Sequence, residues 1–160
     1  MIPRRIIWHH SADNSTAHQF EKINRYHKSR DFLRSSLGFY VGYHYLIEWD
    51  GTIKKAREEN EIGAHDTGEN LNSIGICLAG DFSTHLPSET QVKQIAKLVT
   101  EIKSRWDIPI TRIEPHRWDD DTECPGKFLK DNWLVETYLE HEGNTMLRAF
   151  LWIGKKFNLL

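Results

Sequence analysis

The run Ser73 to Ala79, S-I-G-I-C-L-A, is apolar at almost every position and does not alternate with polar residues. A strand of this kind is buried on both faces, so it belongs in the middle of a sheet with covering layers on each side. Around it the chain alternates between strand-like and helix-like stretches, without internal repeats or low-complexity segments. The fold class that follows is α/β, a central mixed β-sheet flanked by helices in a single domain. At 160 residues the chain can bury a real hydrophobic core, and it leaves no room for a second module of usual size.

Five further segments can be read. Ile6, Ile7 and Trp8 predict a short buried strand that delivers His9 and His10 and breaks at Ser11-Ala12-Asp13-Asn14. Thr16 to Ser29 reads as a helix with Phe20, Ile23, Asn24 and His27 on one face. Tyr43–Trp49 and Thr52–Ala56 flank Asp50-Gly51, a strong hairpin signal. Strand alternation there puts Tyr43 and Tyr45 on one side and His44 on the other. Ser88 to Trp106 spaces Val92, Ile95, Ala96, Val99 and Ile102 for a helix, and Ser88 with Gln91 forms a capping box. Pro125 opens a last helix to about His141, with Phe128, Leu129, Leu134, Val135 and Tyr138 as its apolar positions.

The domain is expected to span 1–142, leaving 143–160 as an amphipathic tail. Met146, Leu147, Phe150, Leu151 and Phe157 fall near one helical face, with Arg148, Lys155 and Lys156 among them. This predicts a helix docked on the domain; the alternative is a basic, aromatic helix in contact with a membrane surface.

The net charge of -2, with acids and bases interspersed, argues against a nucleic-acid partner. Two cysteines, one inside the apolar run, exclude a disulfide framework and fit a reducing compartment. Met-Ile-Pro-Arg-Arg leads straight into the first strand, so no signal peptide is expected, and no apolar run approaches the ~20 residues that span a bilayer.

His116 and Cys124 stand eight positions apart in H-R-W-D-D-D-T-E-C-P-G, a segment of irregular structure. Imidazole and thiolate so placed are zinc ligands first. A third ligand is available from His9 or His10; adjacent strand residues face opposite ways, so only one of them reaches the metal easily. Two histidines and one thiolate leave a fourth position open, the arrangement of a catalytic zinc that activates water.

At this point the chain resembles the zinc-dependent N-acetylmuramoyl-L-alanine amidases, the type that includes phage lysozyme-like amidases and the peptidoglycan recognition proteins. Four blocks carry the likeness in the family's order: I-I-W-H-H-S-A, V-G-Y-H-Y-L-I-E-W-D-G-T-I, G-A-H-D-T-G-E-N-L-N-S-I-G-I-C-L-A-G and the His116 to Gly126 segment. The resemblance implies that His9, His116 and Cys124 bind one Zn2+ per chain. It also implies cleavage of the amide between the lactyl group of N-acetylmuramic acid and the first L-alanine of the stem peptide. Tyr43, in the family's G-Y-H-Y/F motif, is then expected near the attacking water, where its phenol would donate to the developing oxyanion. Thr122 occupies a position where some members carry lysine and others threonine; its hydroxyl can bond the attacked carbonyl without supplying charge. Glu123 is either a proton relay or a solvated acid.

His65 matches a family histidine that lines the cleft, where it would bind the lactyl group or steady the oxyanion; otherwise it packs the hairpin. Trp118 is expected at the substrate. With Asp119 it departs from the acid-then-aliphatic pair that some relatives have after this ligand, which leaves open what supports His116. Asn70 and Asn72 are expected to shape a turn.

Three activities are consistent with these residues. The first is lysis of peptidoglycan as a phage or prophage endolysin, made in the cytoplasm and acting on the wall after release across the inner membrane. The second is intracellular recycling of wall fragments, whose enzymes tend to use Asp where this chain has Cys124. The third is a binding module that does not cut, a type that usually lacks the cysteine. Retention of Cys124, Tyr43 and both histidines selects the enzyme, expected to act as a monomer on muramyl peptides.

Overall fold

The computed structural model describes residues 1–143, so the tail helix expected over 144–160 lies outside the described residues. The strands are β1 (Arg5–His10), β2 (Tyr45–Ile47), β3 (Ile53–Lys55), β4 (Ser73–Leu78) and β5 (Ile113–Pro115). The helices are α1 (Phe20–Ser29), α2 (Glu89–Trp106) and α3 (Trp133–His141). The sheet runs β3-β2-β4-β1-β5. The apolar run Ser73 to Ala79 thus supplies the central strand, parallel to β2 on one side and to β1 on the other. β5 joins β1 in parallel, and β3 pairs with β2 in the antiparallel sense of a hairpin.

Alternate strand residues feed two cores. On one face Ile6, Trp8, Ile47, Ile74, Ile76 and Leu78 pack with Ile95, Val99 and Ile102 of α2 and Leu134 of α3. On the other face Leu46, Cys77 and Val41 meet Phe20 of α1. Each fully buried side chain of this size contributes about 1.5–3 kcal/mol, so helices are held on both sides of the sheet. The Ser88–Gln91 capping box is present, with the Gln91 amide donating to Ser88 Oγ at 3.1 Å.

Three boundaries differ from the sequence expectation. Helix α1 begins at Phe20, not Thr16, because its first amides are captured from across the fold. The buried Glu48 carboxylate accepts from Gln19 N at 2.8 Å and from Phe20 N at 2.9 Å. The Gln19 side chain meanwhile donates to the Asp13 and Ser15 carbonyls and keeps that stretch a loop.

Helix α3 begins at Trp133, not Pro125. Gly126 has φ +103°, and a Cβ there would lie 2.4 Å from the Phe82 backbone, so the chain is pressed into a non-helical turn. Arg117 Nη2 takes the Gly126 and Leu129 carbonyls that a helix would need.

The hairpin strands are also shorter than expected, because the chain bends through Tyr43 and His44. Gly42 fits against the Ala64 carbonyl, where a Cβ would stand 2.1 Å from the oxygen. The bend breaks the alternation: Tyr45 joins the α2 core, whereas Tyr43 packs against the opposite cluster, next to Cys77. Tyr43 and Tyr45 therefore do not share a side.

Candidate metal centre

Strands β1 and β5 lie side by side with Trp8 opposite Pro115, so the next residue of each, His9 and His116, stands at the same level of this edge, with His9 still paired to Cys77 of β4. β5 carries no clear apolar signature and ends in proline, a residue that an edge strand tolerates. Cys124 returns to this edge through a loop tied to the His116 turn: Arg117 N donates to the Cys124 carbonyl at 3.0 Å.

One ligand atom from each of His9, His116 and Cys124 lies within 4.8 Å of the other two. His9 Nδ1 is 3.8 Å from Cys124 Sγ, and the two imidazole rings are 4.4 Å apart between centroids. A tetrahedral zinc with bonds of about 2.0 Å to nitrogen and about 2.3 Å to sulfur needs an N···S separation near this value. His10 turns to the other face, where its Nδ1 accepts from Phe82 N at 3.2 Å. Its backbone N–H donates to Cys124 Sγ at 3.4 Å. Burial pushes the Cys124 thiol up to about 12. Burial also holds His9 well below its usual pKa, helped by the neighbouring His65, His116 and His10, so its imidazole is neutral and keeps a lone pair. The donor set fits zinc.

The Nε2 atoms of both histidines, His9 and His116, have partners of their own. His9 Nε2 lies 3.1 Å from His65 Nδ1, His65 Nε2 lies 3.4 Å from Ser73 Oγ, and Ser73 Oγ donates to the Glu69 carbonyl at 2.7 Å. One assignment of protons satisfies the whole chain: His9 Nε2–H donates to His65, and His65 Nε2–H donates to Ser73. His9 Nδ1 is then left free to face Cys124. His65 is only 9% exposed and stands against His9. Its ring is clasped by Gly63 and Gly75, where a Cβ would fall 2.5 Å from it.

His116 Nε2 is 3.0 Å from Asp120 Oδ2 and 4.0 Å from Asp66 Oδ2. Asp66 is buried, and its carboxyl is pushed up to about 7 by that burial and by the negative charges of Asp119 and Asp120. Asp66 and Ser73 both lie in the block from Gly63 to Gly80, and the fold brings them behind His116 and His9.

The Tyr43 ring stands 5.1 Å from the His9 ring. Burial, followed by Cys77 and Cys124, raises its pKa well above the ordinary phenol value, so the hydroxyl remains a donor. Thr122 Oγ1 accepts from Cys124 N at 3.2 Å, leaving its own proton to be donated. Trp118 ends the short 3-10 turn that begins at His116 and is 53% exposed. Glu123 is exposed. Asn70 shapes the loop as expected: its side-chain oxygen accepts from His65 N and Asp66 N. A cavity of about 440 Å³ opens between the end of β1 and α1, lined by Ser11, Asp13, Gln19, Lys22 and Tyr26 among others.

The fold and the site define an α/β protein of the amidase class. Residues 1–127 match the family model of the N-acetylmuramoyl-L-alanine amidases, and the chain belongs to that family. It is 33% identical over 122 residues to peptidoglycan-recognition protein SC2 of Drosophila melanogaster, a match covering 75% of this chain and 66% of the fly protein. To the endolysin of Escherichia phage T7 it is 30% identical over 118 residues, covering 70% of this chain and 72% of the endolysin. Among solved structures, N-acetylmuramoyl-L-alanine amidase LysC from Clostridium intestinale URNW superposes with a TM-score of 0.73 at 29% identity, over 89% of this chain and 87% of that one.

Proposed function

We propose that the protein is a zinc-dependent N-acetylmuramoyl-L-alanine amidase that acts on the bacterial cell wall as an endolysin. The observation that carries the reading is the convergence of His9, His116 and Cys124 within 4.8 Å, beside the ring of Tyr43. When bound, zinc supplies a Lewis acid and an acidified water at neutral pH. The chain's own residues do the rest.

His65 and Ser73 lock the His9 tautomer, and the His10 amide steadies the thiolate sulfur. Tyr43, kept protonated by burial, donates to the oxygen of the attacked carbonyl as its charge develops. Thr122, held against the Cys124 amide, offers a second neutral donor. Trp118 presents an apolar ring to the muramyl peptide one turn beyond His116, and the cavity between β1 and α1 is wide enough to take part of the stem peptide. The endolysin role rests on the likeness to the phage enzyme, to which the chain is similar over most of its length.

Digestion of purified sacculi, with and without a chelator, followed by mass spectrometry of the new ends, tests the activity. The expected result is free L-alanine amino termini on intact glycan strands, abolished by chelation and restored by zinc. New reducing sugar ends would mean a glycosidase and overturn the reading.

A further inference from the structure

We infer that Asp66 and Asp120 are positioning residues for the metal centre: Asp120 holds Nε2 of His116 by a hydrogen bond, Asp66 sets a buried carboxyl beside it, and together they orient the imidazole toward His9 and Cys124. The inference rests on the zinc reading above. The Asp66 side chain is wholly buried, and neither of its oxygens has a hydrogen-bond partner among the described residues. A buried carboxyl left this way costs the protein free energy unless some other state of the molecule gives it a partner. The guanidinium of Arg5 is not that partner. It is engaged by Glu69 at 2.6 Å, by Glu114 and by Asp119 at 3.5 Å.

The polar hydrogen that faces Asp66 is the one on His116 Nε2, 4.0 Å away and already shared with Asp120 at 3.0 Å. A cation bound by the other ring nitrogen would make the Nε2–H a stronger donor and would place positive charge beside both carboxylates, so metal binding would relieve Asp66. This also explains how His116 is supported where Trp118, half exposed, stands in place of an acid. One carboxylate comes from the next turn of its own loop and the other from the loop after His65. The ligand atoms of Asp66, His116 and Asp120 also lie within 4.8 Å of one another, a spacing that would suit a second divalent ion. That would require His116 to give up the Nε2 proton that lies between it and Asp120 at 3.0 Å.

The test is zinc affinity, measured by competition with a chromogenic chelator, together with the melting temperature of the metal-free protein. Asp66→Asn should weaken zinc binding about 10–100-fold, the range typical of partners behind a metal-bound histidine. Asp120→Asn should weaken it less, because its side chain is 39% exposed and water can replace it. Metal-free Asp66→Asn should melt no lower than metal-free wild type, since the amide removes an unpartnered carboxyl. A residue needed only for folding would shift the melting temperature downward. In the cobalt-loaded protein the thiolate charge-transfer band should persist in Asp66→Asn while the ligand-field bands move.

Wild-type zinc affinity in Asp66→Asn, a destabilised metal-free variant, or two zinc equivalents in wild type falling to one in Asp66→Asn would each overturn the inference. A wild type that takes up no zinc would remove the proposed function along with it, whereas tight zinc with equal affinity in the variant removes this inference alone.

Discussion

Tyr43 is half-buried and its neighbours hold its proton on, so its oxygen is the group whose removal isolates one interaction. Tyr43→Phe keeps the ring against His9 and Cys77. It should lower turnover by about 100-fold, near 3 kcal/mol, with zinc content and melting temperature almost unchanged. Steady-state kinetics on soluble muropeptides measures this, and an unaltered rate would return Tyr43 to a packing role. Cys124 and His10 give a second residue-scale contrast. Cys124→Ala should lose stoichiometric zinc and hydrolysis together. His10→Ala should keep zinc while losing about 1–3 kcal/mol of stability, because the buried Phe82 amide loses its acceptor. Metal analysis after dialysis, paired with thermal melts, separates the two.

At the scale of elements, the helix starts show which signals are local. The Ser88–Gln91 box of α2 joins residues three apart, and it reads correctly from the sequence because nothing distant is needed to make it. Helix α1 has no side-chain cap of its own; Glu48, on the far hairpin, accepts its first amides. Ser88→Ala should cost about 1 kcal/mol, and Glu48→Ala about 1–2 kcal/mol, with α1 fraying at its N-terminus in amide exchange. Urea unfolding gives the energies, and equal protection of the α1 amides in wild type and Glu48→Ala would contradict the tertiary cap. The same distinction explains α3, whose start at Trp133 depends on Arg117 of the preceding loop and on Phe82, which is distant along the chain.

At the scale of the whole molecule, stability should depend on pH through buried neutral histidines. His44 joins β4 to the loop at Glu61: its Nδ1 accepts from Gly75 N at 3.0 Å, and its Nε2 faces the Glu61 carbonyl at 3.0 Å. Burial lowers its pKa to about 4, and burial does the same for His27, whose Nδ1 accepts from Gly42 N at 3.0 Å. A folded-state pKa below the unfolded 6.5 means that the unfolded chain takes up protons first as the pH falls. The stabilisation is therefore complete above about pH 6.5 and is lost progressively down to about pH 4. For His44 alone the loss is about 3 kcal/mol. Urea midpoints measured in chelator from pH 7.5 to 4 should fall across this window. A flat profile would show that the histidines are not buried as neutral groups.

What the sequence determined by itself was local or compositional. The unbroken apolar run gave the doubly buried central strand. Asp50-Gly51 gave the hairpin, and the helical spacing with its capping box gave α2. The four motif blocks gave the family and its two histidines and one cysteine. The tertiary structure decided whatever depends on residues distant along the chain. It set the register that levels His9 with His116. It bent the chain at Gly42, which sent Tyr43 and Tyr45 to opposite sides of the sheet. It packed His65 against His9 between two glycines, and it buried Asp66 beside His116. The physical reason is common to all four. Propensity and periodicity record what a residue does with neighbours three or four positions away, whereas hydrogen bonds and close packing between residues dozens of positions apart exist only once the sheet has brought its edges together.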